Sequence, residues 1–237
     1  MLKDILRKLR FLFCLYTKKT LFWERFSDQF YAFQQDRLRG SVREIKKRQK
    51  IYIKYIKELE KKKLAQFPFL DCGFGRGEFL ELLREHHISH TVGVDINKNF
   101  IKDAQEKGFN VIQSDIVKFL YVSQELYTGI SAFHLIEHLS FPQLFDFLVM
   151  CNKKLVKGGI LILETPNIEN MRVSSTTFYY DHTHIQKLPK VFLHTLLKFI
   201  GFSKIEFLYL HPEKSIVSTE TDRLLFGAQD LGVIAYK

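Results

Sequence analysis

The 237-residue chain is predicted to fold as a doubly wound, mostly parallel α/β sheet. Three observations carry that prediction. Apolar runs of strand length alternate with amphipathic stretches of helix length, a glycine-rich turn joins the first such pair, and an acidic residue closes each of the first three strands. The first pair is the run FLDCGFGRGEFLELL from Phe69 to Leu83, whose strand reaches Asp71 and passes through Gly73, Gly75 and Gly77 into a helix. Glycines at that spacing allow backbone conformations closed to other residues and let a ligand approach the main chain at the amino end of the helix.

The second pair is HTVGVDINKNFIKDAQ, a strand over 91–94 that ends in Asp95 and leads into a helix. An acid about 20 residues past the glycines is placed to accept hydrogen bonds from ribose hydroxyls. FNVIQSDIVKFL supplies a third strand ending near Asp115. One strand-end aspartate commonly caps the helix that follows; three in register with a glycine loop point to a nucleotide-type ligand. The alternation continues through YTGISAFHLIEHL, a helix over 141–156, KGGILILETPN, a helix over 189–200, FSKIEFLYL and DLGVIAYK. Ligands in such sheets lie beyond the carboxyl ends of the strands where strand order reverses, and Gly73 to Gly77, Asp95, Asp115 and His134 all fall there.

A dinucleotide fingerprint has its third glycine three residues after the second, where this chain has Glu78. The acid-x-Gly-x-Gly-x-Gly form resembles motif I of the class I S-adenosylmethionine (SAM) methyltransferases. That resemblance implies their Rossmann-like fold, closed by an antiparallel hairpin, with SAM as cofactor. It assigns Asp71, Gly73, Gly75 and Gly77 to the cofactor loop and Asp95 to the ribose. Ile96 and Ile116 flank the purine, Asp115 meets the adenine edge, and His134 lies near the reacting methyl.

Further motifs narrow the likeness. RGSVREI ahead of motif I, then ETPN, FYYDHTH and LP, resemble the polysaccharide-tailoring methyltransferases, over about Phe30 to Phe202. These include enzymes that terminate O-antigen chains by methylating a terminal phosphate, and enzymes of capsule clusters. Where that family has Asp-Pro-Thr-His, this chain has Asp181-His182-Thr183-His184. The resemblance implies an O-methyltransferase for a surface-glycan intermediate at a phosphate or phosphoramidate oxygen. His134, Tyr179 and His184 are the expected catalytic residues. Tyr31, Arg39, Arg43, Tyr179, Asp181 and His184 are the expected acceptor contacts, the arginines because a planar guanidinium matches phosphate oxygens bidentately. Two alternatives stay open: a sugar hydroxyl, which would need neutral His134 as a base, and RNA, drawn to the basic segment. His134-x-x-Glu137-His138 also spells an inverted zinc-protease signature. It starts at a strand end rather than inside a long helix, so no metal is expected.

Charge divides the chain unevenly. Residues 1–65 hold 19 Lys and Arg against 7 Asp and Glu, whereas the remainder holds 17 against 19. The expected organisation is a basic helical extension over 1–65, contributing to the acceptor site, and a SAM-binding domain over 66–237. Such a basic segment seeks an anionic partner. Leu2, Ile5, Leu6, Leu9, Leu12, Phe13 and Tyr16 recur at helical spacing, opposite Lys3, Arg7, Lys8 and Arg10. This basic amphipathic helix is expected to dock on the chain's own body, on a second subunit or on a membrane surface. Gly40 and Ser41 are expected to break the following stretch into two helices, with Glu44 completing a capping box. Cys14, Cys72 and Cys151 form no CxxC pair, and the apolar run over 11–16 is too short to span a bilayer. The expected location is the cytoplasm, with peripheral inner-membrane attachment through residues 1–20 as the extension's alternative role.

Overall fold

Seven strands form one sheet among the described residues: β1 (Phe69–Cys72), β2 (Thr91–Asp95), β3 (Val111–Gln113), β4 (Tyr127–Phe133), β5 (Leu155–Pro166), β6 (Lys204–Pro212) and β7 (Ala228–Tyr236). The computed structural model describes residues 3, 5–9, 23–38, 40–61, 64, 66–213 and 218–237. Strand order is β3-β2-β1-β4-β5-β7-β6. The first five strands are mutually parallel, and β7 runs antiparallel to both β5 and β6. The chain winds outward from β1 to β3, then crosses back to β4, so the crevice opens beyond the ends of β1 and β4. β6 and β7 are the closing hairpin.

Helices α1 (Trp23–Leu38), α2 (Val42–Gln49) and α3 (Ile53–Lys61) precede the sheet. Within it lie α4 (Glu78–Glu85), α5 (Lys98–Glu106), α6 (Ile116–Val122), α7 (Phe141–Lys154), α8 (Met171–Ser175), α9 (Lys190–Ile200) and α10 (Glu220–Phe226). Local signals end several of them. Gly40 (φ +93°) separates α1 from α2, Asn97 caps α5 by accepting from Asn99 N, and Gly201 (φ +106°) closes α9. The helix expected over 141–156 stops at Lys154 because Leu155 already pairs with Tyr127 in the sheet.

The chain divides into two compact units, residues 1–41 and 42–237. The first contains α1, and its Lys3 and residues 5–9 are helical; the rest of the predicted amphipathic helix lies outside the described residues. The boundary expected at 65/66 therefore falls at 41/42, and the reason is apolar packing. Tyr52, Ile53, Ile56 and Leu59 are buried against Phe69, Phe79, Ile160, Ile162 and Ile234, so α3 covers one face of the sheet despite its lysines. Each such side chain stabilises the body by about 1.5–3 kcal/mol. The other face is covered by α6, α7 and α9, whose Leu120, Phe147, Leu148, Leu193 and Leu197 surround Leu70, Ile130 and Leu161. No helix among the described residues is long and apolar enough to cross a membrane.

Gly129 of β4 lies across from Phe69 of β1, and a Cβ there would sit 2.4 Å from Phe69 Cε2. Gly129→Ala is expected to lower stability by about 1–3 kcal/mol. Urea unfolding reads this directly; an unchanged midpoint would mean that Phe69 moves aside at no cost.

Candidate active site

The glycine turn leaves β1 with Gly73 N donating to Val94 O at 2.7 Å. Gly73, Gly75 and Gly77 all have positive φ (+67°, +57° and +84°), which confines these positions to glycine. A Cβ on Gly77 would meet nothing within 4 Å, so the turn presents bare backbone ahead of α4. Asp95 stands at the end of β2. Its Oδ2 accepts from Gly75 N at 2.9 Å and its Oδ1 from Asn97 N at 2.8 Å, which fixes the carboxylate against the turn. Next to it, Ile96 keeps 69% of its surface exposed. Ile116 is buried, and Asp115 caps α6 by accepting from Lys118 N at 2.9 Å, so the helix-capping role is realised there. Asp71 is buried within β1 and accepts from Ser131 Oγ at 2.7 Å.

These groups fit SAM. The bare turn, the fixed strand-end acid and the exposed Ile96 would hold its amino-acid end, ribose and purine. Glu78, buried and paired with Arg76 at 2.7 Å, occupies the position where a dinucleotide site needs a glycine.

The second half of the site is a chain of histidines and carboxylates at the ends of β4, β5 and β7. His134 follows β4 with φ +49°, an uncommon conformation for a side chain of its size. Its N–H donates to Glu164 O at 2.8 Å, which extends the strand pairing while the left-handed turn redirects the ring. Nδ1 lies 3.3 Å from Glu137 Oε1, and Nε2 lies 3.5 Å from Glu164 Oε1 and 3.6 Å from Asp230 Oδ1. Burial opposes charge on this ring, but Asp230, Glu137 and Glu164 outweigh it and hold the imidazolium well above the usual histidine range. Glu137, fully buried, is pushed up by burial but pulled down further by His134, and ends below the usual carboxylate range.

Partners from other elements complete the cluster. The Tyr52 hydroxyl, buried ahead of α3, donates to Glu164 Oε2. Burial and the Glu164 charge hold that phenol well above its ordinary value, so it remains a donor. Gly232 makes room for it, since a Cβ there would lie 2.8 Å from the Tyr52 hydroxyl and 2.9 Å from Leu210 Cδ1. His211 on β6 approaches Asp230 Oδ2 at 2.8 Å. Tyr52, Glu164, His211 and Asp230 were not among the residues expected from sequence. The ETPN motif, which contains Glu164, was the one signal that could have found any of them.

The segment after β5 is anchored rather than loose. Asn167 and Asn170 donate to the backbone of Gly227 and Ala228, and Ile185 N and Gln186 N both donate to Glu137 O. Asp181 Oδ1 accepts from Thr183 N (2.9 Å) and Thr183 Oγ1 (2.5 Å), so the turn forms with His182 in place of proline. His184 is brought to the cluster, with Nε2 3.8 Å from Glu137 Oε1, and burial holds its pKa below the usual range. Tyr179 is 63% exposed, its ring against Phe178 with Lys187 Nζ 4.6 Å above it. Arg43 is exposed on α2; Tyr31 belongs to the other unit, on α1; Arg39 lies outside the described residues.

A glycine turn and strand-end acid at the point where this strand order reverses define a class I SAM-dependent methyltransferase. Comparison with known proteins agrees. The profile of a family described as methyltransferase domain matches residues 45–206. A SAM-dependent methyltransferase from Archaeoglobus fulgidus is 30% identical, with a TM-score of 0.75 over 88% of this chain and 99% of that one. The chain belongs to this methyltransferase family. A SAM-dependent methyltransferase from Clostridium acetobutylicum (12% identity, TM-score 0.63, 89% and 98% covered) and the methyltransferase domain of bacterial CtHen1 (17%, 0.57, 80% and 98%) share the fold. None of the curated proteins matches the sequence significantly.

The raised pKa of His134 sets a pH dependence. Its contribution to stability is complete below about pH 6.5, the ordinary histidine value, and is lost as pH rises through the folded value. His184, whose value is lowered, no longer titrates in that upper window. Urea unfolding from about pH 6.5 upward is expected to show stability falling, with most of the slope removed in His134→Gln. Identical slopes in both proteins would mean that the ring is neutral.

Proposed function

We propose that this enzyme methylates an oxygen of an acceptor bearing a phosphate or phosphoramidate, a surface-glycan intermediate of the capsule or O-antigen kind. The observation that supports this reading is the placing of Glu137, Glu164 and Asp230 around the His134 ring, which raises its pKa above the usual histidine range. Carboxylates that favour the protonated ring make it less suited to take the proton of a sugar hydroxyl, whereas an N–H donor suits an oxygen that is already anionic. The excess of Lys and Arg over residues 1–65 adds attraction for such an acceptor.

When bound, SAM supplies an electrophilic methyl group on a sulfonium. Asp95 accepts from the ribose hydroxyls, and the backbone of Gly73 to Gly77 receives the amino-acid end. His134 orients the acceptor oxygen for in-line attack, for which alignment matters more than proton transfer. Tyr179, Asp181 and His184 border the acceptor, while Tyr31, Arg39 and Arg43 recognise its charged group. Residues 1–20 attach the enzyme to a second subunit or to the inner-membrane surface on its cytoplasmic side.

Two measurements test this. Asp95→Ala should weaken SAM binding by about 1–3 kcal/mol in calorimetry, as expected for losing a carboxylate that accepts from hydroxyls; undiminished affinity would remove Asp95 from the cofactor site. For the acceptor, release of S-adenosylhomocysteine should require a phosphate-bearing oligosaccharide. Equal turnover with the dephosphorylated sugar, or turnover with bulk RNA alone, overturns the reading.

A further inference from the structure

Glu137, Glu164 and Asp230 bring three buried carboxylates together beside the ends of β4, β5 and β7. We propose that Glu137, His138 and His184 form a site for a divalent first-row transition-metal ion, of the zinc, cobalt or manganese kind. One ligand atom from each lies within 4.8 Å of the other two. Bonds of about 2.1 Å to an ion place tetrahedral ligands roughly 3.4 Å apart. Glu137 Oε1 and His184 Nε2, 3.8 Å apart, need only a small side-chain rotation to close on an ion.

Two independent features point to a ligand. Glu137 is fully buried, and while its Oε2 accepts from Thr165 Oγ1 at 3.0 Å, its Oε1 accepts no hydrogen bond of good geometry. An anionic oxygen left this way in the interior is costly unless something meets it. His134 Nδ1 lies 3.3 Å from this oxygen, while Glu164 and Asp230 face the other nitrogen of that ring. The second feature is the way both imidazoles are held. His184 Nδ1 donates to Phe178 O at 2.7 Å. His138 Nδ1 donates to Thr183 Oγ1 at 2.8 Å, because that hydroxyl gives its own proton to Asp181. Each ring therefore carries its proton on Nδ1 and leaves the Nε2 lone pair for a ligand, which is how metal-binding histidines are oriented. Their rings meet edge to face, with centroids 4.7 Å apart.

Two imidazoles and one carboxylate favour transition metals over magnesium or calcium, which prefer all-oxygen sites. In the other candidate group, His134 with Glu164 and Asp230, both carboxylates already have hydrogen-bond partners: Tyr52 donates to Glu164, and Asp230 pairs with His211. Only the Glu137-His138 half of the inverted spelling takes part; the third ligand comes from the anchored segment, and His134 is left out. The site stands on its own geometry, whatever the acceptor is.

The test is binding of Co²⁺ or Zn²⁺ alone to the chelator-stripped full-length protein, without SAM or acceptor. One equivalent should bind, with the visible bands of Co²⁺ at nitrogen ligands and hyperfine-shifted NMR resonances from two imidazoles. His138→Ala and His184→Ala should each weaken binding at least tenfold. Thr183→Val, which releases His138 without removing a ligand, should weaken it about 10–100-fold and covers the case in which an alanine variant fails to fold. The proposal is overturned if neither ion binds the wild type, or if all folded variants bind as tightly as it does.

Discussion

Glu164 ties the molecule together. It belongs to β5, yet its carboxylate takes the hydroxyl of Tyr52 from ahead of β1, faces His134 at the end of β4, and lies 3.8 Å from His211 on β6. A carboxylate this deeply buried is costly unless polar partners meet it, so each element must deliver its group to the same place. This constraint explains why the helical stretch over 42–61 belongs to the catalytic body: it carries the donor that makes the buried acid tolerable. The same carboxylate contributes to the charge on His134, so a packing requirement and a chemical property share one cause.

Local signals were legible in the sequence. The glycine turn, the acid at the end of β2, the break at residues 40–41 and the closing hairpin are each written within a few adjacent residues, and the structure carries them where they were expected. The His-Glu cluster was not legible in full because its members come from separate segments and look ordinary in each. Tyr52 fits an apolar helical stripe, and Asp230 reads as a polar residue at the start of a strand. The extension was misjudged because its lysines and arginines dominate the composition, while the buried positions Ile45, Tyr52, Ile53, Ile56 and Leu59 recur at helical spacing among them. Period was the better guide than charge. Asp115 shows that the two roles are compatible, since capping α6 uses one of its oxygens and leaves the other.

The segment between β5 and α9 is fastened at both ends. Asn167 and Asn170 hold its start to Gly227 and Ala228 at the beginning of β7, and the Glu137 carbonyl holds residues 185 and 186. Any opening of the cleft on this side has to pivot between those two anchors. Because the second anchor is the backbone of Glu137, movement of the segment and the position of the Glu137 side chain are coupled through one residue.

The missing Cβ of Gly232 has a consequence for how this sequence can change. Its space is filled by the Tyr52 hydroxyl, so the two positions, far apart in the chain, form a lock in which one residue's absence of volume is the other's seat. Alanine at 232 is blocked while tyrosine stands at 52. Once 52 loses its hydroxyl, alanine at 232 becomes far less costly there, although Leu210 and Glu164 must then adjust. Substitution therefore has a permitted order, tyrosine first and glycine second, and a lineage that has filled position 232 cannot easily regain the hydroxyl that steadies Glu164. Related sequences should divide into two groups at this pair, with few intermediates.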